Sequence, residues 1–356
     1  MKASVEPMNG TPRIGRPRED NTELKPYRLY RWFSVTSLLR LPAIGHLKAF
    51  IQRHIPSWVS HKEINVSIQT WKTTGDMRIH RVHTYDEFLA HSARNKQSIE
   101  QHQALLQKIT PKEQISFTVP GYSYTAGKQV DFIVDFQHSG DSGQVNWRER
   151  VCCPETYFNN RMRATFHLFD LEMQPYPDSK IYITEQITPI FTYFAGQFPG
   201  VVGSEFLGDH VPFGHVNENG VRNETLCALS FPDQSFDTLV SLDVLEHIPD
   251  YERAFRECAR ILKKGGKMMW SVPFIATSSN NVVRARIENG EIIHILPPEY
   301  HGNPLSNDGI LCFTHFGWQM LDQMRAAGFR DAYALCYHSS KFGYLGSEQF
   351  MFIAIK

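Results

Sequence analysis

The run from Leu229 to Phe274, LSFPDQSFDTLVSLDVLEHIPDYERAFRECARILKKGGKMMWSVPF, constrains this chain more than any other stretch. Ser235-Phe236-Asp237 opens a strand, and Leu239, Val240 and Leu242 are apolar residues to be buried under helices on both faces of a parallel sheet. Asp243, Glu246 and His247 gather at the C-terminal end of that strand. Pro249 suits the first turn of a following helix. Ala254, Phe255, Cys258, Ile261 and Leu262 then recur at helical spacing. Gly265-Gly266 reads as the end of that helix, and Lys267–Val272 as the next strand. Strand, helix and strand in this order predict a parallel βαβ unit. Ligands of open α/β sheets bind outside the carboxyl ends of such strands.

Around this unit the chain alternates strand and helix as a doubly wound α/β domain does. Lys180–Thr184 and Val201–Glu205 read as strands, and Trp318–Ala327 as a helix capped by Gly328. Ala332–Tyr337 and Gln349–Ile355 are the expected final strands. The predicted organisation is a disordered arm over 1–25, a mostly helical region over 26–114, a β-rich segment over 115–165 and the α/β domain over 166–356. In the helical region Pro42 and Pro56 break short helices, residues 63–71 alternate like a strand, and Thr84 to Thr110 carries a helical pattern.

No stretch approaches the roughly 18 consecutive apolar residues of a membrane span, and no apolar core follows the basic N-terminus as in a secretory signal. The six cysteines follow no disulfide-framework spacing, so a cytoplasmic location and no membrane partner are expected. A formal net charge of +0 gives no whole-molecule field for nucleic acid. Residues 1–80 nevertheless hold 13 Lys/Arg against 6 Asp/Glu, a surface for a protein partner or a homo-oligomer, or simply a solvated face.

The 229–274 run resembles the strand-four to strand-five region of class I S-adenosylmethionine-dependent methyltransferases. The resemblance implies a seven-stranded Rossmann-like sheet, S-adenosylmethionine as cofactor and methyl transfer to a small-molecule substrate. One family feature is replaced. The glycine-rich turn after the first strand reads KIYITEQITPIFTYF (Lys180–Phe194) here, without a glycine. A sub-group found among bacterial glycan-biosynthesis proteins is similar at this point, with a "TEQxTPxF" turn and a "GSEFLG" second strand. The resemblance implies cofactor contacts from Thr184, Glu185 and Gln186 in the turn and from Glu205 to the ribose hydroxyls. It further implies Thr225 and Leu226, with Glu224 nearby, beside the adenine, and Asp243 and Val244 on the cofactor side.

In the same sub-group, Val119–Phe132 and Asn146–Ala164 look like the two knuckles of a zinc ribbon. Structural zinc needs four Cys or His ligands. The ligand positions here hold Ser123, Ala126, Cys153 and Thr156, so no metal is expected. Packing of Tyr122, Tyr124, Phe132, Phe136 and Trp147 is expected to hold the ribbon instead. Arg161 and Arg163 lead into a helix, as contacts for an anionic substrate or the cofactor carboxylate, or as surface ion pairs.

Residues 284–316 form an insert after the fifth strand, at the edge where acceptor substrates are usually covered. His294, Glu299, Tyr300 and His301 are concentrated there, and His315 ends it. A hydroxyl acceptor needs a base, and histidine suits that task near neutral pH. His301 is the first candidate and His247 the second, with Tyr300 beside them; His294, Glu299 and His315 are candidate substrate contacts. A lone loop histidine is as often structural. Two readings remain open from the sequence. One is methyl transfer to a hydroxyl of a sugar or small polar metabolite. The other is a catalytically inactive binding or regulatory subunit, whose pocket would be filled by Glu185, Gln186 or Phe191. A nucleic-acid methyltransferase is disfavoured, with no NPPY-type or cysteine-nucleophile motif.

Overall fold

The computed structural model describes residues 77–111, 115–139, 143–303 and 305–356. The expected arm, the short helices between 27 and 60 and the strand at 63–71 lie outside the described residues.

The described chain opens with β1 (Arg78–Val82) and α1 (Tyr85–Ile109). The helix starts where its sequence supplies caps. Thr84 Oγ1 accepts the Glu87 amide at 3.2 Å, and the Glu87 carboxylate reaches back to the His83 amide at 2.7 Å. One orphan donor of the helix start is thereby satisfied, together with the amide of the residue before the cap. Phe88 and Leu106 bury against the rest of the fold while most of the helix stays wet.

Next come β2 (Ser116–Ser123), β3 (Lys128–Asp135) and β4 (Val151–Cys152), an antiparallel ribbon. Its small core holds Phe132, Val134, Val145, Val151 and Cys153, with Phe117, Phe136 and Trp147 packed on it. Tyr122 and Tyr124 do not join this core. They face the other way, Tyr122 onto Phe342 and Tyr124 stacked on His167 at 4.0 Å. The two knuckles do meet, through hydroxyls: Thr125 Oγ1 lies 3.3 Å from both Ser123 Oγ and Thr156 Oγ1.

The ribbon leads into α2 (Asn160–Leu168), capped by Asn159, and then to β5 (Ile181–Ile183), α3 (Pro189–Ala195), β6 (Val201–Gly203), β7 (Phe236–Leu242), α4 (Tyr251–Ile261) and β8 (Leu262–Ser271). Asp250 caps α4, accepting the Arg253 amide at 3.1 Å, so Pro249 stands ahead of the cap rather than in the first turn. No glycine ends α4, because β8 begins directly at Leu262. Gly265-Gly266 instead shape the start of β8, where a Cβ on residue 266 would meet the Lys263 carbonyl at 2.8 Å.

The insert folds as β9 (Val282–Val283), β10 (Ala285–Glu288), β11 (Glu291–His294), β12 (Tyr300–Asn303), β13 (Ser306–Leu311) and β14 (Thr314–His315). Asn289 (φ 51°) and Gly290 (φ 84°) close the β10–β11 hairpin. Paired left-handed residues match the twist of a two-residue hairpin turn. The chain finishes with α5 (Gln319–Ala326), β15 (Asp331–Ser339) and β16 (Tyr344–Ile355).

One seven-stranded sheet, in the order β1-β15-β16-β8-β7-β5-β6, organises these elements. β6, β5, β7 and β8 run parallel, and β16 enters antiparallel between β8 and β15. The seventh strand comes from ahead of the expected α/β domain. β1, in the region expected to be mostly helical, pairs antiparallel with β15. Helices cover both faces, with Phe255, Cys258, Trp270 and Trp318 in one cluster and Phe166, Phe169, Phe194 and Tyr344 in the other. This is the doubly wound α/β class read from the sequence. No described helix is long and apolar enough to cross a membrane.

Thr84→Ala removes the cap of α1 and leaves the Glu87 amide without its acceptor. A loss of about 1 kcal/mol is expected by chemical denaturation.

Candidate active site

The carboxyl ends of β5, β6 and β7 open into a cavity of about 2170 Å³. That exceeds the roughly 300–1,000 Å³ that holds one small ligand, so two can lie side by side. Thr184, Glu205, Thr225, Leu226 and Val244 are among its lining residues, as are His247, Tyr300 and His301.

Asp243 stands where β7 ends, in the left-handed region at φ 54°. Asparagine and aspartate tolerate that conformation better than most residues. Its carboxylate accepts Arg148 Nη2 at 2.7 and 3.0 Å and Ser271 Oγ at 2.8 Å, with Arg161 Nε at 3.4 Å. Glu149 accepts the same two arginines, Arg148 at 2.5 Å and Arg161 at 3.0 Å, and Asn159 Nδ2 at 2.7 Å. Two cations and two anions thus close on one another. Burial alone would raise the Asp243 carboxyl, but the Arg148 and Arg161 charges win and hold it well below the usual carboxylate range. Asp243 and Arg161 line the cavity, where their mutual pairing makes them part of its wall. Arg148 and Glu149 were missed in the sequence. The alternation Arg148-Glu149-Arg150 carries no signal for a partner 95 residues away.

The turn after β5 is built from carboxylates. Glu205 Oε1 accepts the Ile187 amide at 2.8 Å, and Glu185 Oε1 accepts the Leu242 amide at 3.0 Å. Thr184 Oγ1 bonds Ser241 Oγ at 3.0 Å and Glu185 at 3.2 Å. Burial pushes Glu205 up to about 7 against the pull of the Ile187 and Gln186 amides, and Glu185 up to about 8. Gln186 does not face the cavity. Its amide donates to the Gly220 carbonyl at 2.7 Å and accepts the Arg222 amide at 2.9 Å, so it is a strut between loops rather than a cofactor contact. Glu224 is likewise committed, to Arg222 Nε at 2.7 Å and the Ser230 amide at 2.9 Å.

Beside His247 and His301 the insert closes on the end of β7. His247 lies against Leu311 O at 2.8 Å through Nδ1. A carbonyl only accepts, so Nδ1 carries the hydrogen and Nε2 is left with its lone pair. Glu246 Oε1 lies 3.6 Å from that Nε2 and 3.5 Å from His301 Nδ1. His301 Nε2 in turn lies 3.1 Å from Glu299 Oε1. The Glu246 and Glu299 carboxylates together raise the His301 imidazole above its usual range, against burial. Glu299 is fixed by His315 Nε2 at 3.0 Å and Arg284 at 3.2 Å, so Glu299 and His315 brace His301 from behind. Tyr300 is 58% exposed at the cavity mouth, and His294 sits exposed on β11, away from the cavity.

Arg163 is corrected outright. It is fully buried, donates to the carbonyls of Phe342 (2.6 Å), Val151 (3.1 Å) and Gly343 (3.2 Å), and lies 3.9 Å above the Phe132 ring. It fastens the ribbon to the β15–β16 turn, and no substrate can reach it.

Four parallel strands with a cavity at their carboxyl ends are the place where open α/β sheets bind ligands. Residues 210–270 match the family model of a methyltransferase domain. The chain is 39% identical over 69 residues to a probable S-adenosylmethionine-dependent methyltransferase of Mycobacterium tuberculosis (strain ATCC 25618 / H37Rv), covering 18% of this chain and 25% of that one. It is 42% identical over 76 residues to a ubiquinone biosynthesis O-methyltransferase of Coxiella burnetii (strain RSA 331 / Henzerling II), covering 20% and 32%. The chain thus spans a quarter to a third of the length of these curated relatives. Among solved structures, a methyltransferase from Mesorhizobium loti aligns over 55% of this chain and 96% of that one, at 18% identity and a TM-score of 0.34. Over residues 210–270 the chain is thus similar to S-adenosylmethionine-dependent methyltransferases, which implies S-adenosylmethionine as cofactor. The Glu205 side of the cavity fits that group, because a carboxylate raised by burial is met by two hydroxyl donors.

Arg163→Met keeps the volume but leaves three carbonyls without donors. Unsatisfied buried acceptors cost about 1–3 kcal/mol each, so a loss of at least about 3 kcal/mol in unfolding free energy is expected by denaturant titration.

Proposed function

We propose that this chain transfers a methyl group to a hydroxyl of a sugar or another small polar metabolite. The observation that carries the reading is one cavity lined both by the Glu205 carboxylate and by His247 and His301, the two imidazoles being backed by the buried Glu246 carboxylate. S-adenosylmethionine supplies the activated methyl group. Glu205 holds the ribose hydroxyls, and Thr225, Leu226 and Val244 form the walls beside the adenine. Thr184 and Glu185 line the turn, and the Arg148–Asp243 wall fixes their distance from β7. The acceptor lies under the insert, where the Glu246–His247–His301 cluster takes up its proton. A hydroxyl acceptor loses its proton as the new bond forms, and taking it up is the task such a cluster suits. In-line transfer then depends on alignment within the enclosed space.

The reading as an inactive binding subunit has less support. It expects Glu185, Gln186 or Phe191 to fill the pocket. Gln186 and Phe191 pack over Gly203 instead, on the α3 side of β6. Glu185 turns its carboxylate to the Leu242 amide.

Titration calorimetry with S-adenosylmethionine and its demethylated product tests the reading; no binding at millimolar ligand would sink it. Ribose hydroxyls donate to the carboxylate, so binding requires Glu205 ionised. With its carboxyl at about 7, affinity is expected to fall up to about tenfold as pH drops from 8 to 6. Glu205→Gln should weaken binding at pH 8 and flatten the dependence. Glu185, at about 8, is an ionisable neighbour whose carboxyl is itself raised by Glu205, so Glu185→Gln is the control and should leave a fall between pH 8 and 6.

His301→Ala should lower turnover about 10²- to 10³-fold while the cofactor dissociation constant moves less than about twofold, read by single-turnover methyl transfer beside calorimetry.

A further inference from the structure

We propose that Glu246, His247 and His301 form a binding site for a divalent transition-metal ion such as Zn²⁺ or Mn²⁺. One ligand atom from each residue lies within 4.8 Å of the other two. The carboxylate oxygen is 3.6 Å from one imidazole nitrogen and 3.5 Å from the other. Metal–ligand bonds of about 2.0–2.2 Å set neighbouring ligands roughly 3–3.5 Å apart, so the three need only close slightly around an ion.

The second observation is Glu246 itself. It is fully buried, and neither carboxylate oxygen has a hydrogen-bond partner among the described residues. A buried carboxylate without donors is costly unless a cation answers it. Lysine and arginine are absent from its described ion pairs; only the two imidazoles face it.

Both histidines are oriented as ligands are. His247 donates its Nδ1 hydrogen to the Leu311 carbonyl and aims Nε2 inward. His301 turns Nε2 outward to Glu299 and Nδ1 inward. A carbonyl or carboxylate on the far nitrogen fixes the tautomer and raises the basicity of a metal-binding imidazole. Glu299 is held in turn by Arg284 and His315. Two imidazoles and one carboxylate suit zinc, manganese or ferrous iron, whereas magnesium and calcium favour oxygen alone. His247 and His301 also line the cavity, so remaining coordination positions open towards the acceptor. The neighbouring set of Glu299, Cys312 and His315 also satisfies the spacing, but its carboxylate is already paired. Asp243, on the same strand end, is taken by Arg148 and Arg161.

The inference goes beyond the transfer reading and does not need it. Under it, the His301→Ala loss of turnover comes from a missing metal ligand rather than a missing base.

The full-length protein, stripped with a chelator, is titrated with Zn²⁺ and separately with Mn²⁺, and bound metal is counted by plasma emission. One tightly bound equivalent is expected. Glu246→Gln and His301→Ala should each weaken it about 100-fold or more, Glu299→Gln about 10- to 100-fold, and His315→Ala less than tenfold. No uptake by the parent protein overturns the proposal. So does an ion kept by Glu246→Gln and His301→Ala but lost in His315→Ala, which would assign it to the neighbouring set. Circular dichroism checks each fold; should Glu246→Gln fail to fold, unchanged affinity in the part-exposed His301→Ala variant overturns the proposal alone. Product binding by calorimetry is a separate readout. Metal uptake without it supports the site and sinks the transfer reading, and binding without uptake does the reverse.

Discussion

Asp243 and the two arginines that clasp it hold the cavity together. The carboxylate ends β7, Arg148 comes from the loop before β4, and Arg161 from the first turn of α2. Three separate parts of the chain therefore meet at one side chain. Glu149 takes the remaining donors of both arginines, so the group carries two charges of each sign. Removing any one member would leave another partly buried and unmatched, which is why such groups are strongly coupled. The left-handed backbone at Asp243 aims the carboxylate back towards Ser271 on β8. The next residues can then turn under the insert, bringing His247 to the cavity wall and burying Glu246 behind it.

The missing glycine turn has a related explanation. A glycine lets two backbones, or a backbone and a ligand, come close. Here the close approach has moved one strand over, to Gly203 on β6. A Cβ there would meet the Phe191 ring at 2.5 Å and the Gln186 side chain at 2.8 Å. The turn keeps its side chains by laying them across that glycine. Its Ile187 amide is answered by Glu205, the same residue that faces the cavity. One carboxylate thus both fixes the turn and lines the cavity.

Much of this was legible in the sequence because it is local. Phe236–Leu242 is a strand with the bounds read from its apolar run, and the helix after Thr84 starts at its caps. Harder to read were elements whose partners are distant. β1 has the sequence RIHRV, largely polar because it is a sheet edge with exposed positions, so neither alternation nor an apolar run marks it. Arg163 carries the same formal charge as a surface arginine. Its role depends on carbonyls 179 and 180 residues away. The Asn289-Gly290 pair was a local hairpin signal that went unused.

The insert and the strand end are built as one unit. Phe313 donates its amide to the Glu246 carbonyl at 2.7 Å, and Leu311 receives the His247 ring at 2.8 Å. Further along, the Phe316 amide reaches Pro273 O at 3.0 Å and the Ile275 amide reaches Phe316 O at 2.8 Å. Backbone bonds on both sides of the cluster therefore set how deeply the insert sits. His301, on β12, reaches Glu246 only when β13 is in that register, because the two strands are paired. Among the described residues, the ion-pair partners of Glu246 are His247 and His301. The Glu205 side of the cavity therefore draws on the sheet, whereas the His301 side draws on the docking of residues 284–316.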